Sequence, residues 1–150
     1  MDELRELYQQ VILDHNKSPR NFGELAQANH AAEGYNPLCG DRIHLFLIVA
    51  NGVIQDIRFT GQGCAISKAS ASIMTSLVKG KSTAEAQELF SKFLQLITSD
   101  PTRAVDLSGF DRLAVFAGVR EFPLRVKCAS LAWHTLMSAL ADSGAVVTTE

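Results

Sequence analysis

The stretch from Arg42 to Thr60 leaves this chain few choices of fold. Arg42 to Ala50 is rich in β-branched and aromatic residues and reads as a well-buried strand. Asn51-Gly52 is a strong two-residue hairpin signal, and Val53 to Thr60 follows as the return strand. Alternation in that strand turns Ile57 and Phe59 inward and Asp56, Arg58 and Thr60 outward. Helical patterns flank the hairpin and supply its cover. In residues 2–13, Leu4, Leu7, Tyr8, Val11 and Ile12 form one apolar stripe. A helix is predicted over 65–79, with Ile66, Ala69, Ile73 and Leu77 on one face and Gly80 as its stop. Ser82-Thr83-Ala84-Glu85 fits a capping box ahead of Leu89, Phe93, Leu96 and Ile97, and Asp100-Pro101 ends that helix. The last helix spans about 126–142, with Ala129, Ala132, Trp133, Leu136, Met137 and Leu140 in register and Gly144 as its end.

The remaining segments are less regular. Residues 14–23, broken by Pro19 and Gly23, read as a loop, and 28–35 as a short first strand. Residues 101–123 read as a turn, a short helix near 110–116 and a loop, and 145–150 as a frayed tail. No repeat, low-complexity tract or interdomain linker interrupts the chain. The expectation is one α+β domain over residues 1–150, a small antiparallel sheet packed against helices.

A net charge of −2 disfavours a nucleic-acid partner bound by phosphate neutralisation. The longest apolar run, Leu45 to Ala50, is far short of the roughly 20 residues of a membrane span. The acidic start Met1-Asp2-Glu3-Leu4-Arg5 lacks the features of a signal peptide. The expected location is the cytoplasm, where thiols stay reduced and serve as metal ligands or nucleophiles rather than disulfide halves.

The chain has three cysteines, an odd count that cannot be fully paired within one chain. Cys39 lies between Pro37 and Gly40 in a loop, and Asp41 is two residues on. If the backbone is extended there, both side chains point to the same side. Cys64 follows Gly61-Gln62-Gly63 and precedes a helix, whose N-terminus favours the thiolate. Cys128 reads as lying in a first helical turn beside Arg125 and Lys127, both expected to favour its thiolate. Three thiolates plus the Asp41 carboxylate complete a four-ligand set that suits zinc, or iron in a sulfide-bridged cluster. Arg125 and Lys127 would offset the excess negative charge.

Other candidates are weaker. His15, His30, His44 and His134 share no short spacing with a cysteine and read as surface or packing residues. Ser67 lacks a nucleophile elbow. Gly61-Gln62-Gly63 lacks the third glycine of a dinucleotide fingerprint.

Three segments carry a resemblance that covers most of the chain. They are Tyr8 to Pro19-Arg20-Asn21-Phe22-Gly23, Asn36-Pro37-Leu38-Cys39-Gly40-Asp41, and Phe59-Thr60-Gly61-Gln62-Gly63-Cys64-Ala65-Ile66-Ser67. They resemble the U-type iron–sulfur cluster assembly proteins, the IscU/SufU family. The resemblance implies a compact α+β fold and a ligand set of Cys39, Asp41, Cys64 and Cys128. Lys127 stands where the IscU branch has a histidine, and the segment before Cys128 is longer, as in the SufU branch. The implied function is that of a zinc-dependent sulfur acceptor working with a cysteine desulfurase and passing sulfur to downstream iron–sulfur assembly proteins. Its enzymatic character is at most that of a sulfurtransferase. The alternative is a non-enzymatic scaffold on which a [2Fe–2S] cluster is assembled and transferred. Cys39, on its loop, is the expected sulfur acceptor, with Arg125 steadying the charge.

Overall fold

The structure, a computed structural model, describes residues 2–142 and 146–149. Helix α1 (Asp2–Lys17) leads into strands β1 (His30–Asn36), β2 (Asp41–Ala50) and β3 (Val53–Gln62). Helices α2 (Ala65–Val78) and α3 (Thr83–Thr98) follow. A 3-10 helical segment (Asp111–Glu121), helix α4 (Pro123–Ala141) and the short strand β4 (Val147–Thr148) complete the order. The sheet order is β3-β2-β1-β4. β1, β2 and β3 pair antiparallel, and β4 runs parallel to β1. The architecture is α+β, as expected, with a sheet that is mixed rather than wholly antiparallel.

Strand alternation decides what lies beneath the helices. Along β2 the inner row is Leu47, Leu45, Ile43 and then Asp41, all fully buried. Along β1 it is Ala32, Gly34 and Asn36. Both rows are small or apolar until their last member, which is polar. Helix α4 covers β1 and β2, and α2 packs on α4 and β3. Gly34 permits the close approach of α4: a Cβ there would collide with Thr135 Oγ1 and meet Leu131 Cδ1 at 3.0 Å. Trp133, fully buried, stacks on Phe93 of α3 with centroids 5.0 Å apart. Ile57 and Phe59 point inward as their alternation required.

The outer edge of β3 is covered. Gly23 N–H donates to Phe59 O at 2.8 Å and Phe59 N–H to Asn21 O at 3.0 Å. Farther along, Ile54 N–H donates to Lys81 O at 2.8 Å. Such cover removes a template for unwanted strand pairing.

Several boundaries differ from the sequence expectation. Helix α1 continues to Lys17, because Asp14 to Lys17 contains no breaker and His15 is buried against Ser72 of α2. The ladder of β3 extends through Gly61 and Gln62, opposite Ile43 and Arg42. The 3-10 segment reaches Glu121 because Leu113, Phe116 and Val119 bury one side of it. Helix α4 starts at Pro123, a residue favoured in a first turn, and ends with Asp142 in the left-handed region at φ 53°. Gly144, expected to end that helix, lies outside the described residues. The tail is not frayed at 147–148: these residues pair with Gly34 and Tyr35.

Candidate metal centre

The polar ends of the two inner rows meet. Asn36 and Asp41 are cross-strand partners that close a four-residue turn, 37–40. Cys39 sits exposed in that turn, and its N–H donates to Asn36 O at 3.4 Å. Gly40, at φ +71°, reverses the chain into β2. The turn, rather than an extended Cys39–Asp41 segment, brings the sulfur beside the carboxylate.

Asp41 is fully buried. Its Oδ1 accepts from Cys64 N–H at 2.8 Å and its Oδ2 from Asn36 Nδ2 at 3.2 Å. Gly63, at φ +140°, makes room for this carboxylate: a Cβ there would collide with Asp41 Oδ1 and reach 2.8 Å from its Cα. Cys64 is the N-cap of α2, and its Sγ accepts from Ser67 N–H at 3.4 Å. Cys64 Sγ lies 3.8 Å from Asp41 Oδ2. Cys128 comes from the other covering helix and is buried. Its Sγ is 3.3 Å from Cys39 Sγ and 3.6 Å from Asn36 Nδ2.

Cys64 and Cys128 are electrostatically unequal. The neighbouring Cys128 thiol, helped by Ser67 N–H, lowers the pKa of Cys64 to about 7. The neighbouring Cys64, and then burial, push the Cys128 thiol up. Between Cys64 and Cys128, charge is favoured on Cys64 and the proton on Cys128. The expectation that Cys128 lies in a first helical turn is not met. Cys128 stands in the second turn of α4, beyond the free N–H groups, and it donates to sulfur. Arg125 is exposed, its guanidinium over the Phe122 ring, 4.4 Å from the centroid.

Ligand atoms of Cys39, Asp41 and Cys128 all lie within 4.8 Å of one another, so these residues could hold a metal ion. Cys64 borders the group through Asp41. Four ligands about 2.3 Å from a tetrahedral zinc are separated by about 3.8 Å. The 3.3 and 3.8 Å separations here are close to that, and three sulfurs with one oxygen suit zinc or iron. The donor set fits. Of the other candidates, His15 bonds Ser72, His30 bonds Ala139 O, and Ser67 Oγ is buried without a hydrogen-bond partner among the described residues. No helix among the described residues is long and apolar enough to cross a membrane.

The model of the NifU-like N terminal domain matches residues 7–142. The chain belongs to this family. The NifU-like chain is 41% identical over 141 residues to the zinc-dependent sulfurtransferase SufU of Bacillus subtilis (strain 168), covering 92% of each. It is 40% identical over 143 residues to the iron–sulfur cluster assembly scaffold protein IscU of Streptococcus pyogenes serotype M1, covering 95% of this chain and 88% of the relative. A solved structure described as a candidate iron–sulfur cluster assembly scaffold of the SUF system, from Fervidobacterium islandicum AW-1, superposes with a TM-score of 0.81. It is 32% identical, and the match covers 91% of this chain and 98% of that one.

Sequence reasoning did not assign a task to Asn36, although its motif was noted. The signal was available: a polar residue on the inward row of a strand, opposite another one.

Proposed function

We propose that this NifU-like domain accepts sulfur on Cys39 from a cysteine desulfurase, with zinc held by Cys39, Asp41, Cys64 and Cys128. The observation that carries this reading is the contrast between adjacent sulfurs. Cys39 is exposed on a turn, whereas Cys128, 3.3 Å away, is buried in α4. A sulfur that must meet another protein's persulfide has to be reachable. The relative named a zinc-dependent sulfurtransferase supports the reading.

Bound zinc would keep the cysteines deprotonated and protected from oxidation. In the transfer, the Cys39 thiolate attacks the outer sulfur of the donor persulfide. A new S–S bond forms at Cys39, the donor's S–S bond breaks, and the electron pair leaves on the donor thiolate. No oxidant or reductant is consumed. Cys64 and Cys128 remain on their helices. Arg125, on the exposed first turn of α4, steadies the arriving persulfide charge. Downstream iron–sulfur assembly proteins then take the sulfur.

The test is incubation with a cysteine desulfurase and cysteine, followed by mass spectrometry under non-reducing conditions. One added sulfur on Cys39 is expected, absent in Cys39→Ala; full uptake by that variant would refute the assignment. The second reading, a scaffold building a [2Fe–2S] cluster as cargo on the same side chains, draws on the relative named IscU. It predicts a stable visible chromophore on anaerobic reconstitution with iron and sulfide.

A further inference from the structure

We infer that Asn36 is a positioning residue of the metal centre, ordering three of its four ligands through one side chain and one carbonyl. The inference rests on the metal reading above and adds a residue to it. Asn36 Nδ2 donates to Asp41 Oδ2 at 3.2 Å and to Cys128 Sγ at 3.6 Å. The Asn36 carbonyl accepts from Cys39 N–H at 3.4 Å. The remaining ligand, Cys64, bonds Asp41 Oδ1 through its own N–H. Asn36 thus links the turn, strand β2 and helix α4.

The side chain is fully buried, and its Oδ1 has no hydrogen-bond partner among the described residues. A buried acceptor left unpaired is unfavourable. An apolar residue of similar volume would fill the same space without that penalty. What the amide adds is its N–H pair, which faces the carboxylate and the sulfur. The opposite amide orientation would turn Oδ1 toward the Asp41 carboxylate, so the hydrogen-bond network selects the orientation observed.

Two consequences follow for a bound ion. Asn36 and Cys64 N–H hold Asp41 from both oxygens, which fixes the carboxylate plane before metal arrives. The N–H donated to Cys128 Sγ withdraws charge from that sulfur and holds it in place. Partners of this kind change metal affinity by about 10- to 100-fold when removed.

The test uses the full chain and the metals alone. Zinc affinity is measured by chelator competition for wild type, Asn36→Ala and Asn36→Leu. Metal-free circular dichroism of each checks folding. Both variants should bind zinc 10- to 100-fold more weakly. In cobalt-loaded protein, their thiolate charge-transfer bands should shift relative to wild type, a change that global destabilisation alone does not produce. A wild-type measurement covers the case in which neither variant folds. With 113Cd bound, the Asn36 side-chain N–H resonance should move and couple to the metal across the bond to Cys128 Sγ. Affinity within twofold of wild type with unchanged cobalt bands would overturn the inference. So would an unmoved, uncoupled Asn36 resonance. If wild type itself takes up no metal, the metal reading falls and this inference with it. If only sulfur uptake fails, the sulfur-transfer reading falls while the affinity difference stands.

Discussion

Gly63 shows how much at this site depends on a missing atom. At φ +140° it occupies backbone space that residues with a side chain avoid, and its Cα faces Asp41. Gly63→Ala should cost about 1–3 kcal/mol in stability from backbone strain. It should also displace the Asp41 carboxylate. Zinc affinity, measured by chelator competition, should therefore fall further than that of a Gly52→Ala control. Gly52 also has a positive φ, +73°, but stands at the β2–β3 turn with open space around it. Equal affinity in the two variants would contradict this account. The clustering of Cys39 with Asp41 was legible from their spacing. The 3.3 Å approach of Cys128 to Cys39 was not, because it depends on the packing of α4 over β1 and β2.

Among the elements, α3 illustrates a local code that survives folding intact. Ser82 Oγ accepts from Glu85 N–H, and Glu85 Oε1 accepts from Ser82 N–H, each at 3.1 Å. Ser82→Ala should cost about 1 kcal/mol, read as a lower denaturant midpoint with an unchanged slope. A change in midpoint no greater than experimental error would show the cap to be dispensable. Its legibility follows from range: four consecutive residues contain both halves of the interaction. Strand β4 is the opposite case. Nothing in Val147-Thr148 distinguishes it from a loose tail until β1 presents an open edge for it to join. The 3-10 segment runs longer than expected for the same reason, since its apolar residues are buried by contact with the remote α1, α3 and α4.

For the whole molecule, two conditions should matter. His15 is buried, and its Nδ1 lies 2.7 Å from Ser72 Oγ. That oxygen accepts from Arg20 N–H at 2.8 Å, which leaves its own proton for His15. A neutral imidazole can accept it at Nδ1. Burial first, and then Arg20 and Arg112, lower its pKa, with Asp14 opposing. The unfolded chain takes up this proton near pH 6.5 and the folded one only at lower pH. Stability should be full above about pH 6.5 and decline as pH falls below it. Thermal melts should show this decline, and His15→Gln should flatten it; an equal slope in the variant would exclude His15 as the source. The second condition is zinc. None of its candidate ligands belongs to the apolar cluster formed by the sheet, α2, α3 and α4. Metal-free protein should thus keep its helical circular dichroism at 25 °C. Zinc at 100 times its dissociation constant should add about 2.7 kcal/mol. Loss of the helical signal on chelation would assign zinc a folding role instead.

Periodicity and turn chemistry are properties of neighbouring residues, so the sequence alone determined the hairpin, the helices and the family motifs. It also named Cys39, Asp41, Cys64 and Cys128 as the candidate ligands. Tertiary structure decided what distance along the chain conceals. Cys128 is buried in the second turn of α4 rather than at a helix start, and the Arg125 guanidinium lies over the Phe122 ring. Asn36 joins the site because two inward strand rows end together beneath α2 and α4. Burial and hydrogen bonding between remote segments set those outcomes, and they exist only once the sheet and its covering helices have packed.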